Sequence, residues 1–223
     1  MTPLQARQLQ DRFAAVWTRA GGTHAGDAYA DLAGRYGEPG RHYHTLDHIR
    51  RCLRDLDWAR GAIATADADA VELALWCHDV IFVPGAADNE ARSAGWILQW
   101  GTGIARADRI AALVLETVHD GIPASTAGRF TADIDLAALG CSRTRFRHNG
   151  ACLRAERTDL DDQAYDAAER AFLRALLDSP RIYHTEPFHA RYEARARANL
   201  AWRLAQPGLA GVTGVTGVTG TRR

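Results

Sequence analysis

Lysine is absent from the 223 residues, so all 27 basic side chains are arginine. Any side-chain clamp on a phosphate must then be a guanidinium, which grips two oxygens in a fixed fork. Surplus charge of either sign is also missing. The 27 basic residues meet 27 acidic ones, for a net charge of zero, which excludes a general attraction to nucleic acid or to an acidic membrane. Cysteine is scarce. Cys52, Cys77, Cys141 and Cys152 form no C-x-x-C pair, which argues against a zinc knuckle and for reduced, mostly buried thiols. No stretch approaches the roughly 18 apolar residues of a membrane span, and residues 1–7 carry no apolar signal core. A cytoplasmic protein is expected. With 47% hydrophobic and 24% charged residues, the chain has the make-up of a folded domain.

What is present is helical periodicity. Leu4, Leu9, Phe13, Val16 and Trp17 recur at helical spacing before Gly21-Gly22, which predicts an amphipathic helix over 4–20. Further helices are predicted over 27–36, from a Thr45 cap, from an Asp67 or Asp69 cap to about Asp79, and over 89–100, 106–117, 142–157, 161–178 and 187–205. Shorter helical turns are predicted around 133–139. Val80-Ile81-Phe82-Val83 is the best strand candidate, too short and isolated to build a sheet. The predicted fold class is all-α, one domain over 1–207. A low-complexity tail over 208–223, with its Gly-Val-Thr repeats, is expected to be disordered.

The chemistry concentrates in a few of the nine histidines. Val71, Ala74, Leu75 and His78 fall at i, i+3, i+4 and i+7, so His78 and its neighbour Asp79 close a buried stripe. A polar pair there is costly unless something satisfies it. A metal ion does so, and a hydrogen-bonded core histidine is the plain alternative. His48 sits in the first turn after Thr45, with His44 just before the cap. His119 ends another helix, and Asp133 and Asp135 flank Ile134. Two histidines and two carboxylates converging from separate helices are a standard divalent-metal site.

Several motifs resemble one bacterial subgroup of the HD superfamily, described as predicted metal-dependent phosphohydrolases. They are Tyr36-Gly37-Glu38-Pro39 with Arg41-His42-Tyr43-His44-Thr45-Leu46-Asp47-His48-Ile49; Trp76-Cys77-His78-Asp79-Val80-Ile81-Phe82 with Asp88-Asn89-Glu90 and Ser93; Asp133-Ile134-Asp135-Leu136 with Leu139-Gly140; and Ile182-Tyr183 leading to Glu193, Ala196-Arg197 and Asn199-Leu200. The resemblance covers residues 10–205 and implies an HD-type helical bundle with additional C-terminal helices. It implies His48, His78, Asp79 and Asp133 as metal ligands, with Asp135 in reserve. One departure stands out. Where the subgroup has an Arg-x-Glu-Tyr-like element, this chain reads Arg154-Ala155-Glu156-Arg157, which bears on how that helix closes the pocket.

The resemblance further implies hydrolysis of a phosphate ester or anhydride, on a nucleotide or another small phosphorylated metabolite. The nitrogen and oxygen ligands suit Mn2+, Fe2+, Co2+, Ni2+ or Zn2+, and a metal-activated water is the expected attacking group. Glu90, then Asp88, are expected to handle the proton, with a helix-capping role as the alternative for Asp88. His119 is a candidate for a second metal or for phosphate. Arg41, His44 and Asn89 are expected to touch substrate, with pairing to Glu38 as the alternative for Arg41. The basic stretch Arg143, Arg145, Arg147, His148, Arg154 and Arg157 reads as a solvated helix face, with contact to a nucleotide or an RNA as the alternative; otherwise no nucleic-acid or membrane partner is expected. Competing readings are a metal- and nucleotide-binding protein without turnover, and a di-iron oxygenase.

Overall fold

A computed structural model of the chain describes residues 2–209. The tail expected to be disordered lies, from residue 210 on, outside the described residues. Among these there are ten α-helices and no strand: α1 Pro3–Arg19, α2 Ala25–Tyr36, α3 Leu46–Ala59, α4 Thr65–Cys77, α5 Asn89–Trp100, α6 Ala107–Leu115, α7 Thr126–Leu136, α8 Arg143–Glu156, α9 Asp162–Asp178 and α10 Glu186–Ala205. None is long and apolar enough to cross a membrane. Short 3₁₀ turns follow α3, α6 and α7.

Local chemistry sets the boundaries. Thr2 and Gln5 exchange hydrogen bonds around Pro3 in a capping box at the start of α1. Thr45 accepts the Asp47 N–H to begin α3. Two expectations are corrected. The fourth helix starts at Thr65 without a side-chain cap, and Asp67 lies in its first turn paired with Arg106. Of the turns expected around 133–139, residues 137–139 do lie in a 3₁₀ turn, Ala137–Gly140, but 133–136 are the end of an eleven-residue helix, α7, entered through Ser125, whose side chain accepts the Gly128 N–H. Its Thr, Gly and Phe content hides it from a propensity reading. Val80–Val83 forms a loop.

Helix α4 is the hub, packing against α1, α3, α5, α6 and α7. Residues 70–77 are buried on every side, as a helix surrounded by others must be. On one side Trp76 meets Phe13 edge-on, with ring centres 5.4 Å apart; Phe13 stacks on Trp17 at 5.1 Å and Trp17 lies 6.1 Å from Trp96. A second aromatic group joins α3, α7 and α10, with Phe188 within 5.4 Å of Trp58 and 6.3 Å of Phe130. The Tyr36 hydroxyl donates to the Trp76 carbonyl at 2.9 Å. This bond ties the end of α2 to the end of α4, where His78 and Asp79 emerge.

After α7 the chain turns at Ala137–Gly140 and packs closely on α10. A Cβ on Gly140 would lie 2.7 Å from the Cβ of Tyr192, and neither atom is free to swing away. Gly140→Ala must push α10 outward and is expected to destabilise the fold by about 1–3 kcal/mol. Urea unfolding measures this, and an unchanged midpoint would contradict the packing described.

Candidate metal-binding site

Five elements deliver side chains to one place. The N-terminal turn of α3 brings His48, and the end of α4 brings His78 and Asp79. The end of α7 brings Asp135, and the turn after α6 brings His119. His44 enters from the loop before α3. His48 and His78 are both buried, and their Nε2 atoms lie 3.1 Å apart. His78 Nε2 is 2.9 Å from Asp79 Oδ2 and 3.3 Å from Asp135 Oδ1. His48 Nε2 is 3.4 Å and 3.2 Å from the same two oxygens. His78 Nδ1 faces the Leu75 carbonyl at 3.0 Å, so Nδ1 carries a hydrogen and the Nε2 lone pair of the neutral ring points into the group.

Two ring nitrogens and two carboxylate oxygens at these distances demand a positive centre. With protons alone His78 supplies it. Burial pushes its imidazolium towards neutrality, but Asp79 and then Asp135 hold its pKa well above the ordinary value. Burial pushes Asp79 and Asp135 up, but the surrounding imidazoles together, His78 foremost, more than offset it, so both carboxyls stay below the ordinary range. Burial dominates for His48 and lowers its pKa. Donors about 2.1 Å from a common ion would lie about 3.0 Å apart at octahedral angles and about 3.4 Å apart at tetrahedral ones. The nitrogen–nitrogen and nitrogen–oxygen separations therefore fit the spacing of a divalent ion as well as that of a shared proton. Cys52 packs its sulfur 3.7 Å from His48 Nε2. Burial, with Asp135 and Asp79 nearby, drives its pKa well up, and with His48 and Asp135 it forms a second group whose donor atoms lie close enough to share an ion.

Asp133 is a correction. It is fully buried and turned away from the histidines. It accepts the backbone N–H of His184 at 2.8 Å and of Thr185 at 2.7 Å, and the Thr185 hydroxyl at 2.6 Å. Its work is to hold the entry to α10. Asp135, two residues on, takes the place beside His48 and His78. Its second oxygen lies 2.8 Å from His119 Nε2. His119 reaches it from a left-handed backbone, φ 58°, a conformation that costs a non-glycine residue on the order of 1 kcal/mol.

Arg41 and Asn89 are corrected as well. Arg41 is spent inside the fold. It donates to the carbonyls of Asp79 at 2.6 Å, Val80 at 3.0 Å and His44 at 3.3 Å, and reaches Glu38 at 3.4 Å. It fixes the backbone at the His78-Asp79 corner and is no free anion contact. Asn89 closes the 83–89 loop, accepting the Val83 N–H at 2.8 Å and donating to the Val83 carbonyl at 3.0 Å. Asp88 is exposed at the start of α5 and makes no side-chain cap bond. Glu90 is half-buried in the first turn of α5. Neither acid forms a hydrogen bond or ion pair with the histidine group among the described residues.

Sequence reasoning quoted Glu156 only as part of a motif, yet it anchors the site. Its Oε1 accepts the N–H groups of His42, Tyr43 and His44 at 2.7, 2.8 and 2.9 Å, and its Oε2 meets His44 Nδ1 at 2.6 Å. His44 lies against Phe82, centre to centre 4.7 Å, and its free Nε2 stands 4.0 Å from Asp79 Oδ2. The departure at Arg157 leaves this intact, since Arg157 pairs with Asp159 at 2.8 Å.

Two members of the group, His48 and Asp135, also line a cleft of about 450 Å³ between α3, α8 and α10; His44, His78, Asp79 and His119 are not in its lining. Six arginines and three aspartates line it. Arg145 belongs to the basic stretch noted in the sequence; Arg191 and Arg195 carried no signal, being two arginines among many on α10.

Compared with known proteins, the chain matches no protein-family model, no curated protein and no solved structure.

Two outcomes test the support around the site. Asp133→Ala leaves three buried donors unpaired and is expected to cost about 2–4 kcal/mol in urea unfolding; a loss below about 0.5 kcal/mol would contradict the capping role. The second outcome concerns pH. Burial raises Glu156, but its bonds to His44 and the loop hold its pKa below the ordinary 4.5. Burial lowers His44, but Asp79 and Glu156 hold its pKa above the ordinary 6.5. A depressed carboxyl stabilises above its ordinary value and loses this as acid titrates it. A raised imidazolium stabilises below its ordinary value and loses this as pH rises through the raised one. Glu156→Gln keeps an acceptor for the loop and removes the charge. Its stability deficit should be largest between pH 4.5 and 6.5 and shrink in alkali. A deficit constant from acid to alkali would assign all the stabilisation to the backbone bonds.

Proposed function

We propose that this chain is a divalent-metal-dependent phosphohydrolase of the HD type, acting on a small phosphorylated substrate. One observation carries the reading. Two imidazole nitrogens and two carboxylate oxygens meet at nitrogen–oxygen distances of 2.9–3.4 Å, and two of their residues, His48 and Asp135, line an arginine-rich cleft. His48, His78, Asp79 and Asp135 would hold the ion. Mixed nitrogen and oxygen donors suit Mn2+, Fe2+, Co2+, Ni2+ or Zn2+. Such an ion, when bound, supplies Lewis acidity that lowers the pKa of water and spreads the charge of a phosphoryl oxygen.

The chain's own groups do the rest. His119 holds Asp135 in position through its outer oxygen. Arg41 fixes the main chain beside Asp79, and Glu156 fixes both the loop and the His44 ring. We assign to His44 the proton-handling role expected of Glu90 or Asp88. Its Nδ1 is held by a buried carboxylate and its Nε2 lies free beside Asp79. That arrangement presents a proton at Nε2 to a leaving oxygen, in the way an oriented imidazole serves elsewhere. The guanidiniums of the cleft attract and orient the anion. The split engagement of Asp135, one oxygen towards His48 and His78 and the other towards His119, favours a second reading with two ions, which metal stoichiometry decides.

His78→Ala and Asp135→Asn are expected to abolish both Mn2+ binding, read by titration calorimetry, and hydrolysis across a panel of nucleotides and phosphate esters. Asp133→Asn should keep Mn2+ binding within about threefold, since its carboxyl faces α10. Tight binding without turnover anywhere in the panel would support a binding protein instead. Hydrolysis surviving in metal-free His78→Ala would rule the mechanism out.

A further inference from the structure

The cleft's six arginines are not equivalent. Arg50 and Arg51 pair with Asp47, and Arg54 lies 3.6 Å from Asp55. Arg145, Arg191 and Arg195 pair with no carboxylate among the described residues. The Arg145 side chain makes no hydrogen bond among the described residues. Arg191 rests on the Trp58 ring, 4.1 Å from its centre, and Arg195 donates to the Gly140 carbonyl at 3.3 Å. Arg191 and Arg195 are one helical turn apart on α10, and Arg145 faces the same cleft from the start of α8. All three are exposed at the mouth of the cleft, so their charge is neutralised by no protein group among the described residues and converges where a multiply charged anion can be gripped.

A second observation points the same way. Asn149, one turn after Arg145, is 6% exposed and lines the cleft, yet its side chain bonds to no protein group among the described residues. The Nε of Arg51, also in the lining, is buried without a partner. Buried polar groups are ordinarily paired, so the Arg51 Nε is a donor held ready for something that enters, and Asn149 adds an amide that no protein group engages beside it. Recognition of a base is not provided for. Tyr192 is the one Phe, Tyr or Trp side chain in the lining. Its hydroxyl is committed to Asp55 at 2.8 Å and its ring is buried against Tyr183 and Phe188.

We propose that Arg145, Arg191, Arg195 and Asn149 form a site for a second phosphoryl group, so that the substrate is a compact molecule with two or more phosphoryl groups, recognised by them and not by a nucleobase. This rests on the reading that the His48, His78, Asp79 and Asp135 group takes the reacting phosphoryl. It narrows the substrate from phosphorylated metabolites at large to polyanions such as inorganic pyrophosphate or a bisphosphate.

The test is calorimetric titration of the full-length, EDTA-treated chain with inorganic pyrophosphate, inorganic phosphate and adenosine monophosphate. Pyrophosphate should bind about tenfold or more tighter than phosphate, and the nucleotide no tighter than phosphate. Arg145→Gln and Arg191→Gln should each weaken pyrophosphate about five- to tenfold, with circular dichroism and melting unchanged. Arg174→Gln, an exposed arginine of α9 outside the cleft, controls for net charge and should leave affinity alone. Equal affinity for phosphate and pyrophosphate, tighter binding of the nucleotide than of pyrophosphate, or indifference to both cleft substitutions would overturn the assignment. A separate Mn2+ titration keeps the two readings apart. A wild-type chain that binds pyrophosphate but no Mn2+ would overturn the metal site and uphold the anion site. One that binds Mn2+ but not pyrophosphate would do the reverse.

Discussion

Two imidazole nitrogens face each other at 3.1 Å, sealed from water and hemmed by two carboxylates, and so impose a demand for positive charge at one point. Nothing in an apolar helical core would tolerate that concentration of polar atoms without a strong return. Much of the surrounding structure reads as a response to it. The main chain at Asp79 is pinned by the Arg41 guanidinium, the loop before α3 is gathered onto one oxygen of Glu156, and His119 takes a left-handed backbone to reach Asp135. These contacts come from residues up to 114 apart in sequence, so the site is a product of the tertiary fold and of no single motif.

The same geometry explains why neighbouring carboxylates have opposite fates. Asp133 and Asp135 lie two residues apart on α7, about 200° around the helix, and therefore face different partners. One turns towards the buried entry of α10, where two N–H groups and a hydroxyl saturate it. The other turns towards the histidines. A charge so fully hydrogen-bonded as Asp133 has little left to offer an ion, whereas Asp135 faces imidazole groups on both oxygens.

The fold class was legible because apolar spacing at three and four residues is a strong signal over ten or more positions, and α1, α5, α9 and α10 lie within a few residues of their predicted spans. Helix α7 was not, because Thr126-Ala127-Gly128-Arg129 offers poor propensity and only the packing of Phe130 and Ile134 carries it. The buried stripe singled out His78 and Asp79, and their pairing with His48 was implied by the resemblance to the HD motifs. The choice between Asp133 and Asp135 was settled by neither, since sequence gives no rotation of α7 relative to α10. Arg41 and Asn89 were read as substrate contacts because polar residues beside a reactive pair look available. Their hydrogen bonds to main-chain carbonyls, invisible in a sequence, show that they are occupied. Arg145, Arg191 and Arg195 come together only through the packing that forms the cleft, and no spacing rule links α8 to α10.

The central claim is that the four-atom group is a seat for a divalent ion and not a self-satisfied knot of protons. A crystal of the full-length protein grown with Mn2+ and recorded at a wavelength that reveals its anomalous scattering tests this directly. The account predicts an anomalous peak in contact with His48, His78, Asp79 and Asp135 and none at Asp133. A difference map with no peak at these residues, at Mn2+ concentrations that fill ordinary divalent sites, would contradict it.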